Sequence, residues 1–225
     1  MQLLRNILPK PILAFLRRIA FRHLKMGGPK YDYNLEPIQL ATIIFELERL
    51  KSIKGNILEI GVARGMATRF ICEHIRLNPS FDGLLIAIDT FESFTEDDLS
   101  FEVNKRGKKL AELKEFDFND FNVWSSYFKK FDFVRPIKSD CSIVEYEKLQ
   151  PIKLTLLDVD LYIPTIKTLR KVYDNTIDGG VIIVDDVKDN VRYDGAYQAY
   201  MEFCAELNIE PKIVGNKCGL IYKNV

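Results

Sequence analysis

The chain has 225 residues, 32 basic and 32 acidic side chains, a formal net charge of zero and a hydrophobic fraction of 47%. These values suit one domain with a full core and exclude a mostly disordered chain, and the balanced charge excludes a global attraction to nucleic acid. No CxxC pair occurs among the cysteines, which indicates a reduced, cytoplasmic protein without a disulfide framework or zinc site. These cysteines are Cys72, Cys141, Cys204 and Cys218.

Residues 1–34 are predicted to form a basic amphipathic arm before the main domain, residues 35–225. The first thirty residues include seven basic side chains and no acid. Pro9 and Pro11 argue against a signal peptide, and Arg17 and Arg18 against a membrane span. Two interpretations remain open. The arm packs on the core or on a second subunit of a homo-oligomer, or residues 1–25 contact the inner face of a membrane peripherally through anionic headgroups.

Strand and helix signals alternate along the rest of the chain. Apolar runs predict strands at 56–61, 84–89, 133–138, 153–158 and 181–185, with helices near 67–77, 164–173 and 197–207. Segments 212–215 and 220–223, joined by a tight turn, predict a hairpin whose last strand is antiparallel. This order predicts an α/β fold with a mostly parallel sheet and helices on both faces.

Residues 91–118 interrupt this alternation. The segment is rich in charged and aromatic residues and is long for a connection between a strand and a helix. It is interpreted either as a lid over a site or as a solvated insertion. A helix is expected to begin near Asn119 and to lead into the third strand.

The loop after the first strand carries two glycines, Gly61 and Gly65, in the phrase Glu59-Ile-Gly-Val-Ala-Arg-Gly65. It lacks the GxGxxG pattern of dinucleotide sites and the Gly-Lys-Ser/Thr of phosphate loops. A ligand without phosphates, such as S-adenosylmethionine (SAM), suits it better, because glycines admit a close ligand and a helix N-terminus accepts a carboxylate.

Two acids follow neighbouring strands. Asp89 ends the second strand, where an acid can accept hydrogen bonds from ribose hydroxyls, and Asp140 follows the third, where it can meet an adenine amino group. Each alone could be a cap or turn residue. Together with the glycine loop they predict a nucleoside-bearing ligand.

A second acidic cluster follows the fourth and fifth strands. Asp158 and Asp160 follow the fourth, and Asp185 and Asp186 the fifth. Carboxylates held close together repel unless a proton or a cation intervenes, and a set of oxygen ligands favours Mg²⁺ over zinc. The alternative is that some of these acids only cap helices. Asp158 is the first candidate for a catalytic base and Asp160 the second.

Four phrases together resemble the macrocin O-methyltransferase family. They are Glu59-Ile-Gly-Val-Ala-Arg-Gly65, Ile88-Asp-Thr-Phe-Glu-Ser-Phe94, Leu157-Asp-Val-Asp-Leu-Tyr162 and Gly179-Gly-Val-Ile-Ile-Val-Asp-Asp186. The resemblance spans roughly residues 35–222. It implies a Rossmann-like class I methyltransferase fold with a seven-stranded sheet, SAM and Mg²⁺ as cofactors, and a hydroxyl of a sugar or glycan as acceptor.

The resemblance also implies site residues. It assigns the metal to Asp158, Asp185 and Asp186. It assigns the cofactor to the glycine loop and the acids beside it, with their neighbours: Glu59, Gly61, Arg64, Gly65, Asp89, Thr90, Asp140 and Cys141. The family often has Asp-Gly-Asp where this chain has Asp158-Val-Asp160, a difference that concerns the acceptor more than the reaction.

Other functions compete with this prediction. A catechol-like O-methyltransferase would use the same metal geometry, but no lysine lies one turn after Asp158 to act as its base. An NAD-dependent oxidoreductase would need a third glycine in the loop. A non-catalytic, nucleoside-binding Rossmann-like protein would have no need of the acidic cluster.

Overall fold

The structure, a computed structural model, describes residues 9–24, 26, 31, 33–78, 80–113 and 116–223. The chain divides into two compact units, Met1–Tyr33 and Asn34–Val225. The described part of the first unit contains helix α1 (Lys10–Arg22). None of the described helices is both long and apolar enough to cross a bilayer.

The second unit contains a seven-stranded sheet with the order β3-β2-β1-β4-β5-β7-β6. Neighbouring strands from β3 to β5 pair in parallel, whereas β7 is antiparallel to both β5 and β6. This confirms the predicted sheet and its antiparallel last strand. The strands are β1 (Asn56–Ile60), β2 (Leu85–Asp89), β3 (Val134–Lys138), β4 (Ile152–Leu157), β5 (Thr176–Val184), β6 (Lys212–Val214) and β7 (Cys218–Tyr222).

Seven helices accompany the sheet within the described part of this unit. They are α2 (Pro37–Arg49), α3 (Met66–Arg76), α4 (Glu96–Arg106), α5 (Leu110–Leu113), α6 (Phe121–Phe128), α7 (Tyr162–Asn175) and α8 (Gly195–Glu206). Leu58 and Ile60 share a core cluster with α7 and α8, which therefore cover one face of the sheet. Ile57 points to the opposite face and is fully buried as well, so both faces are covered.

The insertion at residues 91–118 is partly helical. The apolar pattern did not reveal α4, because that helix is mostly charged. Its ends carry the signals instead: Thr95 accepts a hydrogen bond from the amide of Asp98 at the start, and Gly107 adopts φ 70° at the end. Asp120 likewise caps α6, which confirms the helix expected after Asn119.

Partly buried ion pairs and a hydrogen bond connect the insertion to the domain. The buried Glu102 carboxylate accepts hydrogen bonds from the Arg106 side chain and from the amide of Tyr162, each at 2.8 Å. Arg106 also pairs with Asp194 at 2.5 Å, and Lys108 pairs with it at 2.7 Å. Helix α4 is thus fixed to the N-terminus of α7 and to the segment that follows β5.

Candidate active site

The carboxyl ends of the parallel strands surround a cavity of about 310 Å³, a volume in the range of small-molecule sites. Nine of the described residues that line it are acids, whereas Arg64 and Lys217 are the basic ones. Of the residues predicted for the site, all but Gly65 line this cavity: Glu59, Gly61, Arg64, Asp89, Thr90, Asp140, Cys141, Asp158, Asp160, Asp185 and Asp186.

The two glycines of the loop have different neighbours. Gly61 has φ 81°, and a Cβ there would lie 1.7 Å from the carbonyl oxygen of Asp158, so this glycine lets the loop approach the end of β4. Gly65 has φ 82°, and its Cβ would lie 2.6 Å from the ring of Phe128 in α6. The space above Gly65 is therefore filled by an aromatic ring of the protein.

Asp89 holds the glycine loop in place. One of its carboxylate oxygens accepts hydrogen bonds from the amides of Val62 at 2.7 Å and Ala63 at 3.2 Å. The other accepts from the amide of Phe91 at 2.6 Å. The Thr90 hydroxyl lies 3.4 Å from this second oxygen, so the roughly four acceptor positions of the carboxylate all have donors within the protein.

Asp140 and Cys141 form the wall beyond β3. The Asp140 carboxylate accepts hydrogen bonds from the amide and the hydroxyl of Ser142, at 2.7 and 3.0 Å, and so caps the short 3₁₀ helix Cys141–Ile143. Burial raises the pKa of the Cys141 thiol to about 12, so that it stays neutral. Asp140 thus combines the role of a cap with a place on the cavity wall.

Glu59 is a buried acid at the cavity, with 1% of its surface exposed. Burial raises the pKa of its carboxyl to about 8, and the nearby Asp89 charge adds to this effect. Its Oε2 atom has no hydrogen-bond partner among the described residues. A buried acceptor without a partner is costly, and a ligand that donates a proton or carries a positive charge would remove that cost.

Three carboxylates meet at the ends of β4 and β5. Oxygens of Asp158, Asp160 and Asp186 all lie within 4.8 Å of one another. Burial, with the charge of the neighbouring carboxylates, raises the pKa of Asp158 and of Asp160 well above the usual value. Asp160 and Asp186 also have positive φ angles, 61° and 56°, a strained conformation that often accompanies functional sites.

Asp185 lies beside this group of three but points to other partners. Its buried carboxylate accepts a hydrogen bond from the Gln39 side-chain amide at 2.5 Å and from the backbone amide of Asp186 at 2.7 Å. The Lys217 ammonium lies 3.1 Å from Asp185 and 2.6 Å from Asp186. The sequence assigned the metal to Asp158, Asp185 and Asp186, whereas in the structure Asp160, instead of Asp185, completes the compact group.

Lys217 is a site residue that the sequence analysis missed. Burial opposes its charged form, but the carboxylates of Asp185 and Asp186 outweigh this effect and raise its pKa. The residue immediately precedes β7, and its spacing from the acids gave no signal of the contact. Gln39 was missed as well, although Glu36 and Gln39 form a capping box at the start of α2 that the sequence pattern could have shown.

Aromatic rings line the side of the cavity formed by the insertion. The ring centroid of Phe94 lies 5.6 Å from that of Phe116 and 6.1 Å from that of Tyr193. Phe94 and Phe116 belong to the insertion, whereas Tyr193 follows Asp186 by seven positions. All three residues line the cavity, so the insertion contributes directly to the site. We call these three rings the aromatic wall.

Comparisons with known proteins agree with this geometry. The family model described as Macrocin-O-methyltransferase (TylF) matches residues 39–216. The structure of the O-methyltransferase NovP superposes with a TM-score of 0.65, at 17% identity, covering 96% of this chain and 99% of NovP. That of the calicheamicin methyltransferase CalS11 superposes with a TM-score of 0.62, at 16% identity, covering 96% of this chain and 87% of CalS11.

A more distant neighbour, SMU.1697c from Streptococcus mutans in complex with S-adenosylhomocysteine (SAH), has a TM-score of 0.52 at 11% identity, covering 83% of this chain and 97% of the other. No curated protein sequence matches the chain significantly. The structural neighbours are too distant in sequence to show more than the fold. The family model, however, covers most of the chain, and the chain therefore belongs to the macrocin O-methyltransferase family and is an O-methyltransferase.

Proposed function

We propose that the protein transfers a methyl group from SAM to a hydroxyl of a sugar or glycosylated acceptor, with Mg²⁺ as a second cofactor. The observation that carries this proposal is one cavity that holds two sets of residues. Glu59, Asp89 and Asp140 lie at the ends of β1 to β3, and the group of three carboxylates lies at the ends of β4 and β5.

The residues present fit SAM. The Oε2 atom of Glu59 lacks a partner and suits the ammonium group of the methionyl part. A ribose hydroxyl would replace the Thr90 hydroxyl at Asp89, because that contact is long, 3.4 Å, and Thr90 also donates to the Ser93 carbonyl oxygen at 2.8 Å. When bound, SAM supplies an electrophilic methyl group on a cationic sulfur, and an acid-rich cavity favours that positive charge.

The group of three carboxylates fits a hard divalent cation. Its donors are all oxygens, which Mg²⁺ prefers, and their mutual repulsion needs a compensating charge that Lys217 supplies only from the side of Asp185 and Asp186. We assign Mg²⁺ to Asp158, Asp160 and Asp186, with Asp185 as the alternative that the sequence predicts. When bound, Mg²⁺ lowers the pKa of a coordinated hydroxyl.

The side chains of this chain would then position the acceptor and receive its proton. No histidine is among the described residues that line the cavity, so a carboxylate is the available base. We assign this role to Asp158, or to Asp160 as second choice. Much of the rate would come from the alignment of two bound partners inside one cavity.

The aromatic wall supports a sugar-containing acceptor. Sugar rings have an apolar face of C–H groups, which packs against aromatic side chains such as Phe94, Phe116 and Tyr193. The family is named for macrocin methylation, and CalS11 is described as a TDP-rhamnose 3′-O-methyltransferase, which also supports a sugar. The same wall would accept a planar catechol, and this is the second candidate acceptor class.

Calorimetric titration tests the cofactors first. We expect SAM and SAH to bind the wild-type protein, and the Glu59→Gln variant to bind SAM more weakly, because the ammonium group favours ionisation of the Glu59 carboxyl and an amide cannot ionise. The exposed Glu210 gives a matched control, Glu210→Gln, which should bind like the wild type. Absence of SAM and SAH binding, with Mg²⁺ or with a chelator, would refute the proposal.

Release of SAH in the presence of acceptors then tests the substrate class. Glycosides, nucleotide-linked sugars and catechols would be compared with Mg²⁺ and with a chelator. We expect turnover with a glycosylated compound that the chelator abolishes. Turnover with catechols alone would replace the sugar assignment by the second candidate, and full activity in chelator would exclude the role of the metal.

A further inference from the structure

Helix α1 carries an exposed apolar stripe. Ile12, Phe15, Leu16 and Ile19 are spaced i, i+3, i+4 and i+7, so they share one side of the helix. The side chains of Ile12, Phe15 and Leu16 are 47%, 59% and 43% exposed, and no residue of α1 is buried. Three neighbouring large apolar side chains at this exposure need a partner of low polarity.

The charges of the helix all have one sign. Lys10, Arg17, Arg18 and Arg22 lie outside the apolar stripe, and α1 contains no acidic residue. The preceding and following residues, up to position 30, add three more basic residues and no acid. The helix therefore favours a surface that carries anionic groups and has an apolar layer beneath those groups.

The dimensions exclude a spanning helix. Thirteen residues extend about 20 Å, whereas the hydrocarbon layer of a bilayer is about 30 Å thick. Arg17 and Arg18 also lie in the middle of the helix, where a bilayer core would be most costly for them. A position in the plane of the interface avoids both costs.

Two other partners fit these observations less well. A second copy of α1 would match the apolar stripe but would bring basic residues of both copies together without an acid to pair with them. A nucleic acid would match the charges but would leave the stripe of Ile12, Phe15, Leu16 and Ile19 without an apolar contact. An anionic bilayer satisfies both the charges and the stripe.

We propose that α1 docks the protein on the surface of a bilayer that contains anionic lipids. The stripe enters the boundary between headgroups and acyl chains, and the arginines contact lipid phosphates and carboxylates. This inference concerns the first unit alone and does not depend on the reaction proposed for the second.

Flotation of the full-length protein with vesicles tests the inference. We expect it to float with vesicles of about three parts phosphatidylcholine to one part phosphatidylserine, and not with phosphatidylcholine alone, and we expect added salt to weaken binding. Phe15→Asp should lower the bound fraction about tenfold, because the variant loses the burial of one large apolar side chain.

Matched variants test whether vesicle binding depends on α1 or on another part of the protein. Phe45, on α2, is 73% exposed, and Phe45→Asp makes the same chemical change outside α1 and should leave flotation unchanged. Arg17→Glu combined with Arg18→Glu should abolish flotation, whereas Arg17→Lys combined with Arg18→Lys should retain it. Unchanged SAH binding and thermal unfolding would show that each variant is folded.

Each of the remaining outcomes would overturn the proposal. Failure of the wild-type protein to float with anionic vesicles, or equal flotation of Phe15→Asp, would exclude docking through the stripe. Light scattering that shows a dimer lost in Phe15→Asp, without flotation, would assign the stripe to a second copy. Retention of an oligonucleotide that depends on Arg17 and Arg18 but not on Phe15, again without flotation, would assign the helix to nucleic acid.

Discussion

The acids in the two halves of the cavity have different kinds of partner. In the half formed by β1 to β3, backbone amides already bind Asp89 and Asp140. In the half formed by β4 and β5, Asp158 and Asp160 face Asp186 at short distance, and Lys217 compensates the charge from one side. Hydrogen bonds within the protein therefore fix the acids of the first half, whereas the acids of the second half repel one another unless a proton or a cation lies between them.

Asp158→Asn would test the second half most strongly. If Asp158 holds the metal and accepts the proton, methyl transfer should fall about a thousandfold. Thermal stability should not fall with it, because the amide removes a half-buried carboxyl that repels its neighbours. Rates of SAH release and thermal unfolding would be measured together, with the exposed Asp178→Asn as control. Activity close to wild type would contradict both roles of Asp158.

Gly61→Ala would disrupt the close approach of the glycine loop, in the first half, to the end of β4, in the second. A Cβ at this position meets the Asp158 carbonyl oxygen at 1.7 Å, so we expect a loss of about 3 kcal/mol or more in the free energy of unfolding. Gly107 also has positive φ, 70°, but has open space around it, and Gly107→Ala should cost only about 1 kcal/mol. Denaturant titration of both variants gives the comparison, and equal losses would show that the backbone angle alone matters.

Glu59→Gln would probe an acid of the first half that has an unpartnered oxygen. The folded protein keeps the Glu59 proton up to about pH 8, whereas the unfolded chain loses it near pH 4.3. Between these values stability should fall with rising pH by about 1.4 kcal/mol per unit from this group, and the variant should lack that contribution.

Denaturant titrations between about pH 5 and 8 would measure the slope, with Glu210→Gln as the control for an exposed glutamate. The wild type and Glu210→Gln should share one slope, and Glu59→Gln should have a shallower one. Parallel curves for all three proteins would show that Glu59 does not hold a proton in the folded state.

Asp160→Asn and Asp185→Asn would decide which acid completes the metal site. The geometry predicts that Asp160→Asn raises the Mg²⁺ concentration for half-maximal activity about tenfold, and that Asp185→Asn raises it less. The reverse order would restore the set predicted from the sequence, Asp158, Asp185 and Asp186. The measurement is methyl transfer against Mg²⁺ concentration for both variants.

Local patterns predicted the fold well because the strands are short apolar runs with acids or glycines at their ends. The run before Gly61 and the run before Asp185 both form central strands, as expected for strands buried on both faces. Strand β5 nevertheless begins at Thr176, before the Gly179-Gly180 pair that looked like its boundary. Thr176 pairs with Ile152 of β4, and the register shifts before Val181 pairs with Leu154, so the glycine pair lies at an irregularity of the sheet, where glycine is common.

Side-chain direction is the part that local patterns did not reveal. Asp158 and Asp160 were placed correctly at the end of β4, but the positive φ angles of Asp160 and Asp186 turn their side chains in ways that spacing does not encode. Gln39 contacts Asp185 although the two residues are 146 positions apart in the chain. This contact depends on how α2 packs against the sheet. Such contacts follow from packing and not from sequence periodicity.

The sequence by itself determined that Glu59, Asp89, Asp158 and Asp185 lie at one edge of the sheet, because parallel strands bring their carboxyl ends to the same side. Only the tertiary structure decided which partners each of these acids has. Asp89 binds the glycine loop, and Asp185 binds Gln39 and Lys217. The carboxylates of Asp158, Asp160 and Asp186 face one another. The reason is physical: the partner of a buried charge is selected by distance in the folded chain, and residues far apart in sequence supply it.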